Sequence, residues 1–118
     1  MEKTRFLYIL IGGFLGSAIR EILSLSIPGA TGILLVNISG SLILGFLMYA
    51  AEFGFFSERE RYLLGIGFCG GLTTFSAFIV QTIQFSGSMA AMNVLANVFF
   101  CLVSVFIGRA IAIKRLGS

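Results

Sequence analysis

Four runs of predominantly apolar residues, at 6–25, 32–51, 62–84 and 89–111, dominate this sequence. Each holds roughly 20 residues, about 30 Å as an α-helix, which is the thickness of a bilayer's hydrocarbon core. In lipid every backbone N–H and C=O must be satisfied within the protein, which favours continuous helices. Composition agrees: only 11% of the residues are charged, against about 25% in a soluble domain, and the mean hydropathy is +1.04. A soluble fold of 118 residues could not hide so much apolar surface from water. The expectation is an all-α membrane protein whose residues 1–118 form a single unit of four transmembrane helices.

The connections are short. Pro28-Gly29 marks the first turn, residues 52–61 the second, where Ser57 is placed to cap the next helix, and Ser86-Gly87-Ser88 the third. Such loops force antiparallel neighbours, so both termini and the second connection share one membrane face. That face carries Lys3, Arg5, Arg59, Arg61, Arg109, Lys114 and Arg115, and the opposite face only Arg20. Seven cations against one predict termini on the cytoplasmic side of the cell membrane. The net charge of +3 therefore reads as orientation rather than nucleic-acid binding. Lys3 and Arg5 before an apolar run superficially suggest a signal peptide. The run is too long, carries Arg20, lacks a small-residue cleavage site and precedes three further spans, so it reads as a retained helix.

Polar residues inside the spans are few and patterned. Asn37 lies about a third of the way along span two, with Ser41 one turn on. Asn93, Asn97, Cys101 and Ser104 follow one another on a single face of span four. A buried amide in lipid needs a partner, so these residues either glue helices together or line a wet pathway in which amides and hydroxyls donate to an anion. Gly65, Gly67, Gly70 and Gly71 precede Leu72-Thr73-Thr74-Phe75-Ser76-Ala77-Phe78 in span three. Glycines followed by two threonines weaken a helix, and a break at membrane depth survives only where it is buried or lines a cavity. Freed carbonyls there suit a cation, and the N-terminus of a resuming half-helix suits an anion. Phe75 and Phe78 are three apart and can turn positive ring edges to one side.

Small residues four apart, Gly12 with Gly16, Gly13 with Ser17 and Ser41 with Gly45, read as close helix packing. Titratable groups are almost missing from the spans. Arg20 and Glu21 lie near one span end, and two roles are open to Arg20: drawing anions to a vestibule, or snorkelling. There is no His, hence no His-based metal site or catalytic triad. Cys69 and Cys101 sit in apolar runs and read as packing residues rather than a disulfide.

These residues resemble the Fluc fluoride channel family, also called CrcB. The resemblance runs through Gly12-Gly13-Phe14-Leu15-Gly16-Ser17-Ala18-Ile19-Arg20, Val36-Asn37-Ile38-Ser39-Gly40-Ser41 and, most specifically, Gly67-Phe68-Cys69-Gly70-Gly71-Leu72-Thr73-Thr74-Phe75-Ser76-Ala77-Phe78. It implies an antiparallel dimer with two fluoride pores, formed by the chain with itself or with an oppositely oriented homologous chain. It also implies a structural, untransported sodium ion held by the backbone carbonyls of Gly70 and Thr73 from both subunits. Phe75 and Phe78 correspond to the pore phenylalanines, Asn37 to the pore amide and Arg20 to the vestibule arginine. Thr74, Ser76, Ser41 and Asn97 are further expected pore donors. The implied role is export of fluoride down its electrochemical gradient, lowering its cytoplasmic level, with no enzymatic step. The chain departs from the family at Cys101 and Val105, where Ser and Thr are common, which thins the polar track of span four. Its strong charge bias also points to the termini-in member of a pair of chains.

Two other classes fit the size. A dimeric four-helix multidrug transporter needs a central acid for proton coupling, which this sequence lacks. A structural subunit needs only small-residue packing, without the Asn37 and Phe75/Phe78 constellation.

Overall fold

The computed structural model describes residues 2–117. Helix α1 covers Glu2–Ser26 and α2 covers Ala30–Glu52. The third crossing is two helices, α3 over residues 58–72 and α4 over Ser76–Gln84, and α5 covers Ser88–Leu116. Within α3, Arg61–Cys69 is wound as a π-helix. The four crossings are long and apolar enough to span a bilayer, and the described residues contain no strand. The chain is thus an all-helical, multi-pass membrane protein with a broken third helix. Helix α1 begins before its predicted start at residue 6, and α5 runs past the predicted end at 111. The extra turns carry Lys3, Arg5, Lys114 and Arg115, whose long side chains can follow a helix into the headgroup layer.

The connections follow local chemistry. Gly29 (φ 84°) and Gly87 (φ 56°) take the left-handed conformation that other residues resist. Ser57 caps α3 reciprocally: its Oγ accepts from the Glu60 N–H at 3.3 Å, and the Glu60 carboxylate accepts from the Ser57 N–H at 2.8 Å. This is a capping box.

Packing rests on two helix pairs, α2 with α5 and α1 with α3. Lipid tails are as apolar as leucine, so helix association in a membrane depends on close contact. At α2–α5, Gly45 lies against the Val105 carbonyl and Gly108 against the Leu42 carbonyl, so each helix offers the other a missing side chain. At α1–α3, Gly12 and Gly16 face the carbonyls of Leu63 and Phe68, while Gly67 and Gly71 face those of Ile9 and Gly13. The Gly12/Gly16 spacing announces this contact. Gly108 is the middle of a second such row, Ser104, Gly108 and Ala112, all buried on α5. Large apolar residues such as Phe6, Leu10, Phe14 and Phe106 point outward, as a lipid solvent allows.

At one end of the bundle the Arg109 guanidinium pairs with Glu52 at 3.4 Å and lies over the Tyr49 ring, while Arg5 lies over Tyr62. These contacts gather the start of α1, the end of α2, the start of α3 and the last turns of α5. The basic face read from the sequence is therefore one physical end of the molecule.

Candidate functional site

The third crossing breaks at Thr73, whose backbone turns extended (φ −80°, ψ 157°). The Cys69 carbonyl accepts both the Thr73 N–H, at 3.0 Å, and the Thr73 hydroxyl, at 2.9 Å, which closes α3. Thr74 then gives its backbone to another helix. Asn37 Nδ2 donates to the Thr74 carbonyl at 3.1 Å, and Asn37 Oδ1 accepts from the Thr74 N–H at 2.7 Å. A carboxamide carries the same donor and acceptor as a peptide group, so α2 supplies one residue's worth of ladder at membrane depth. Thr74 Oγ1 accepts from the Ala77 N–H at 3.1 Å and so starts α4. Short hydroxyl side chains compete in this way for backbone groups and favour helix ends over helix interiors.

The clamp belongs to a larger network. Asn37 Nδ2 also donates to Asn97 Oδ1 at 3.3 Å, and Asn97 Nδ2 donates to the Asn93 carbonyl at 2.9 Å and to Asn93 Oδ1 at 3.3 Å. Asn93 Nδ2 donates to Thr82 Oγ1 at 2.8 Å, and that hydroxyl donates to the Phe78 carbonyl at 2.8 Å. Asn37 is 8% exposed and Asn97 6%, and their amide donors are all engaged. Three helices are thus tied together behind the break. The span-four polar face read from the sequence is present. Thr82, its partner on α4, was not foreseen, because the turn at Gly87 decides which residue Asn93 meets.

What the network leaves over is as informative. Among the described residues, the carbonyls of Gly70 and Thr73 accept no hydrogen bond, and the N–H groups of Phe75, Ser76 and Phe78 have no acceptor. The Ser41 hydroxyl is likewise without a protein partner there. The break therefore offers unsatisfied acceptors on one side and donors, at the N-terminus of α4, on the other.

A groove of about 780 Å³ runs along this region. Its wall contains Asn37, Ser41, Thr74, Phe75, Phe78 and Asn97, together with Gly70 and Thr73. Cys101 and Val98 contribute from α5, and Arg61 and Tyr62 stand at its basic end. Among the described residues, no carboxylate lines it. The Phe75 and Phe78 ring centroids are 5.7 Å apart and tilted by 50°. Phe78 is buried at 8% exposure, and Phe75 projects at 74%. Two predicted residues lie elsewhere. Ser76 is exposed, with its Oγ 3.4 Å from Thr74 Oγ1. Arg20 reaches α3 from the α1 side, its Nε donating to the Gly71 carbonyl at 3.0 Å, with Ser17 Oγ at 3.5 Å. Val105 is also outside the groove wall, its carbonyl facing Gly45.

The family model described as CrcB-like protein, Camphor Resistance (CrcB), matches residues 7–109, which include the clamp, the break and the whole amide network. The chain belongs to the CrcB family. Among its CrcB relatives, fluoride-specific ion channel FluC 2 of Methanosarcina mazei is 42% identical over 118 residues, covering 99% of this chain and 93% of the relative. Fluoride-specific ion channel FluC of Methanocaldococcus jannaschii is 40% identical over 115 residues, covering 91% and 93%. Fluoride-specific ion channel FluC 1 of Methanospirillum hungatei is 42% identical over 105 residues, covering 88% and 75%. CrcB membership excludes an enzymatic role.

Proposed function

We propose that this chain is a subunit of a fluoride-selective channel that lets fluoride leave the cytoplasm down its electrochemical gradient. The observation that carries the reading is the groove beside a broken helix, in which neutral dipoles and ring edges stand where an anion would shed water. Fluoride is small and strongly hydrated, so a selective path must replace its water with donors. The Ser41 hydroxyl, the N–H groups at the start of α4 and the edges of Phe75 and Phe78 supply them. Asn37 and Asn97 act from behind, holding Thr74 and α4 in place. None of the donors is a fixed cation in the mid-membrane region, which keeps each site weak enough to release its ion.

The exposed Phe75 and the open groove suit an antiparallel dimer in which a second subunit closes the wall, either a copy of this chain or an oppositely inserted homologue. The family implies a structural sodium ion at the centre of such a dimer. The Gly70 and Thr73 carbonyls fit that role: they are oxygen donors with no hydrogen bond among the described residues, and Gly70 is exposed. When bound, the ion would supply the positive charge that ties the two breaks together.

Liposomes carrying the purified protein, loaded with fluoride and given a potassium ionophore for charge balance, should release fluoride within seconds while retaining chloride. Vesicles that stay tight to fluoride, with sodium and any partner chain supplied, would overturn the reading. The charge bias further predicts cytoplasmic termini. A single cysteine placed at either terminus, with Cys69 and Cys101 replaced, should react with an impermeant maleimide only from the cytoplasmic side. Equal labelling from both sides would refute a fixed orientation.

A further inference from the structure

We propose that Arg61, seated on Tyr62 at the basic end of the groove, is an anion-capture site that loads the pathway from the face bearing the termini. The inference rests on the channel reading above and names a residue that sets its entry rate. Arg61 and Tyr62 both line the same groove that reaches Asn37 and Phe78. The Arg61 guanidinium lies 5.8 Å from the centre of the Tyr62 ring, and the Arg5 guanidinium lies 5.2 Å from the same ring. Two cations thus converge on one aromatic platform, which fixes their position without neutralising them.

Neither neighbouring acid of this turn pairs with Arg61 among the described residues. The Glu60 carboxylate is held by the Ser57 N–H in the capping box, and Glu58 accepts from the Tyr62 hydroxyl at 3.3 Å. Among the described residues Arg61 forms no ion pair, whereas Arg109 at the same end is matched by Glu52. Between this mouth and the break the wall is largely apolar, with Leu44, Met48 and Ile66. A cleft with low-dielectric walls and one sign of charge at its opening focuses the field along its length and raises the local concentration of the opposite ion. Arg61 is exposed, so an anion can reach it with its water shell and move inward. Arg59, on the same first turn of α3, lies outside the groove wall and supplies surface charge alone.

The test is fluoride flux through reconstituted wild type and four variants at sub-saturating and saturating fluoride, at low and high concentrations of an impermeant salt. Wild-type flux at sub-saturating fluoride should fall as salt rises. R61Q should lower that flux about threefold at low salt and remove most of its salt dependence, and R61E should lower it further. All should reach wild-type flux at saturation. R61K should behave as wild type, and R59Q should change nothing. The proposal is overturned if R61Q keeps the wild-type rate and salt dependence. It is also overturned if R61K fails as fully as R61Q, which would mean a packing defect, or if R59Q slows flux equally, which would mean a diffuse surface effect. A wild type without fluoride flux would instead remove the channel reading itself.

Discussion

Asn37→Ala will abolish most fluoride flux, by about 100-fold or more, in a protein that still purifies as a folded species. The substitution removes the 2.7 Å and 3.1 Å hydrogen bonds that satisfy both backbone groups of Thr74. It also removes the bond to Asn97. Leaving a buried donor or acceptor unsatisfied costs about 1–3 kcal/mol, and at membrane depth no bulk water is at hand to relieve it. Two such groups are freed on one residue, so the break will rearrange to satisfy them. Each ~1.4 kcal/mol spent in reforming the conducting geometry is about tenfold in rate, which gives the expected loss. Asn37→Asp keeps the acceptor for the Thr74 N–H but loses both amide donors, and as a carboxylate it would repel an anion, so its flux should be lower still. Flux assays beside size-exclusion profiles distinguish a disabled pathway from an unfolded protein. Wild-type flux in Asn37→Ala would show that the clamp has no part in conduction.

Gly45→Val will have the largest effect on folding. A Cβ at Gly45 would run into the Val105 carbonyl, with the Val105 Cα only 3.0 Å away. The obstacle is backbone, so no rotamer change relieves it, and α2 and α5 must move apart along the most extensive helix contact in the molecule. Overpacking a well-filled contact costs about 1–3 kcal/mol where side chains can adjust, and more is expected where they cannot. The displaced helices also carry Asn37 and Asn97, so the amide network would be strained with them. We expect aggregation on detergent extraction, read as loss of a monodisperse peak. Gly65→Ala is the control: nothing lies within 4 Å of its added Cβ, and alanine favours a helix by about 0.5–1 kcal/mol over glycine, so that variant should extract normally. Normal extraction of Gly45→Val would mean that the α2–α5 contact is looser than the structure shows.

The particular residues show why some of this was legible and some was not. Asn37, Asn97 and the Thr73-Thr74 pair stand out in an apolar sequence because polar groups there need partners. Their presence predicted both a break in span three and a polar face on span four. The sequence could not say that the Asn37 amide would be consumed by the backbone of Thr74. Read alone, it was equally suited to donate to an anion, and only the approach of α2 to the break decides between the two. Phe75 and Phe78 were rightly placed near each other, but their unequal exposure depends on how α4 leaves the break. Arg61 looked like one of seven cations of a basic face, and its position at the mouth of the groove depends on the seating of α3 between α1 and α2.

Four apolar runs and short polar turns were enough to determine a multi-pass helical membrane protein. Those properties are set residue by residue through transfer into lipid and the need to satisfy each backbone group locally. The clamp on Thr74, the donors and acceptors left over at the break and the groove that joins them to Arg61 were decided only by tertiary structure. Each depends on the distance between groups on different helices, and that distance is set by backbone contacts at glycines such as Gly45 and Gly108; the spacing of small residues signals that such contacts form but not which partner each one meets.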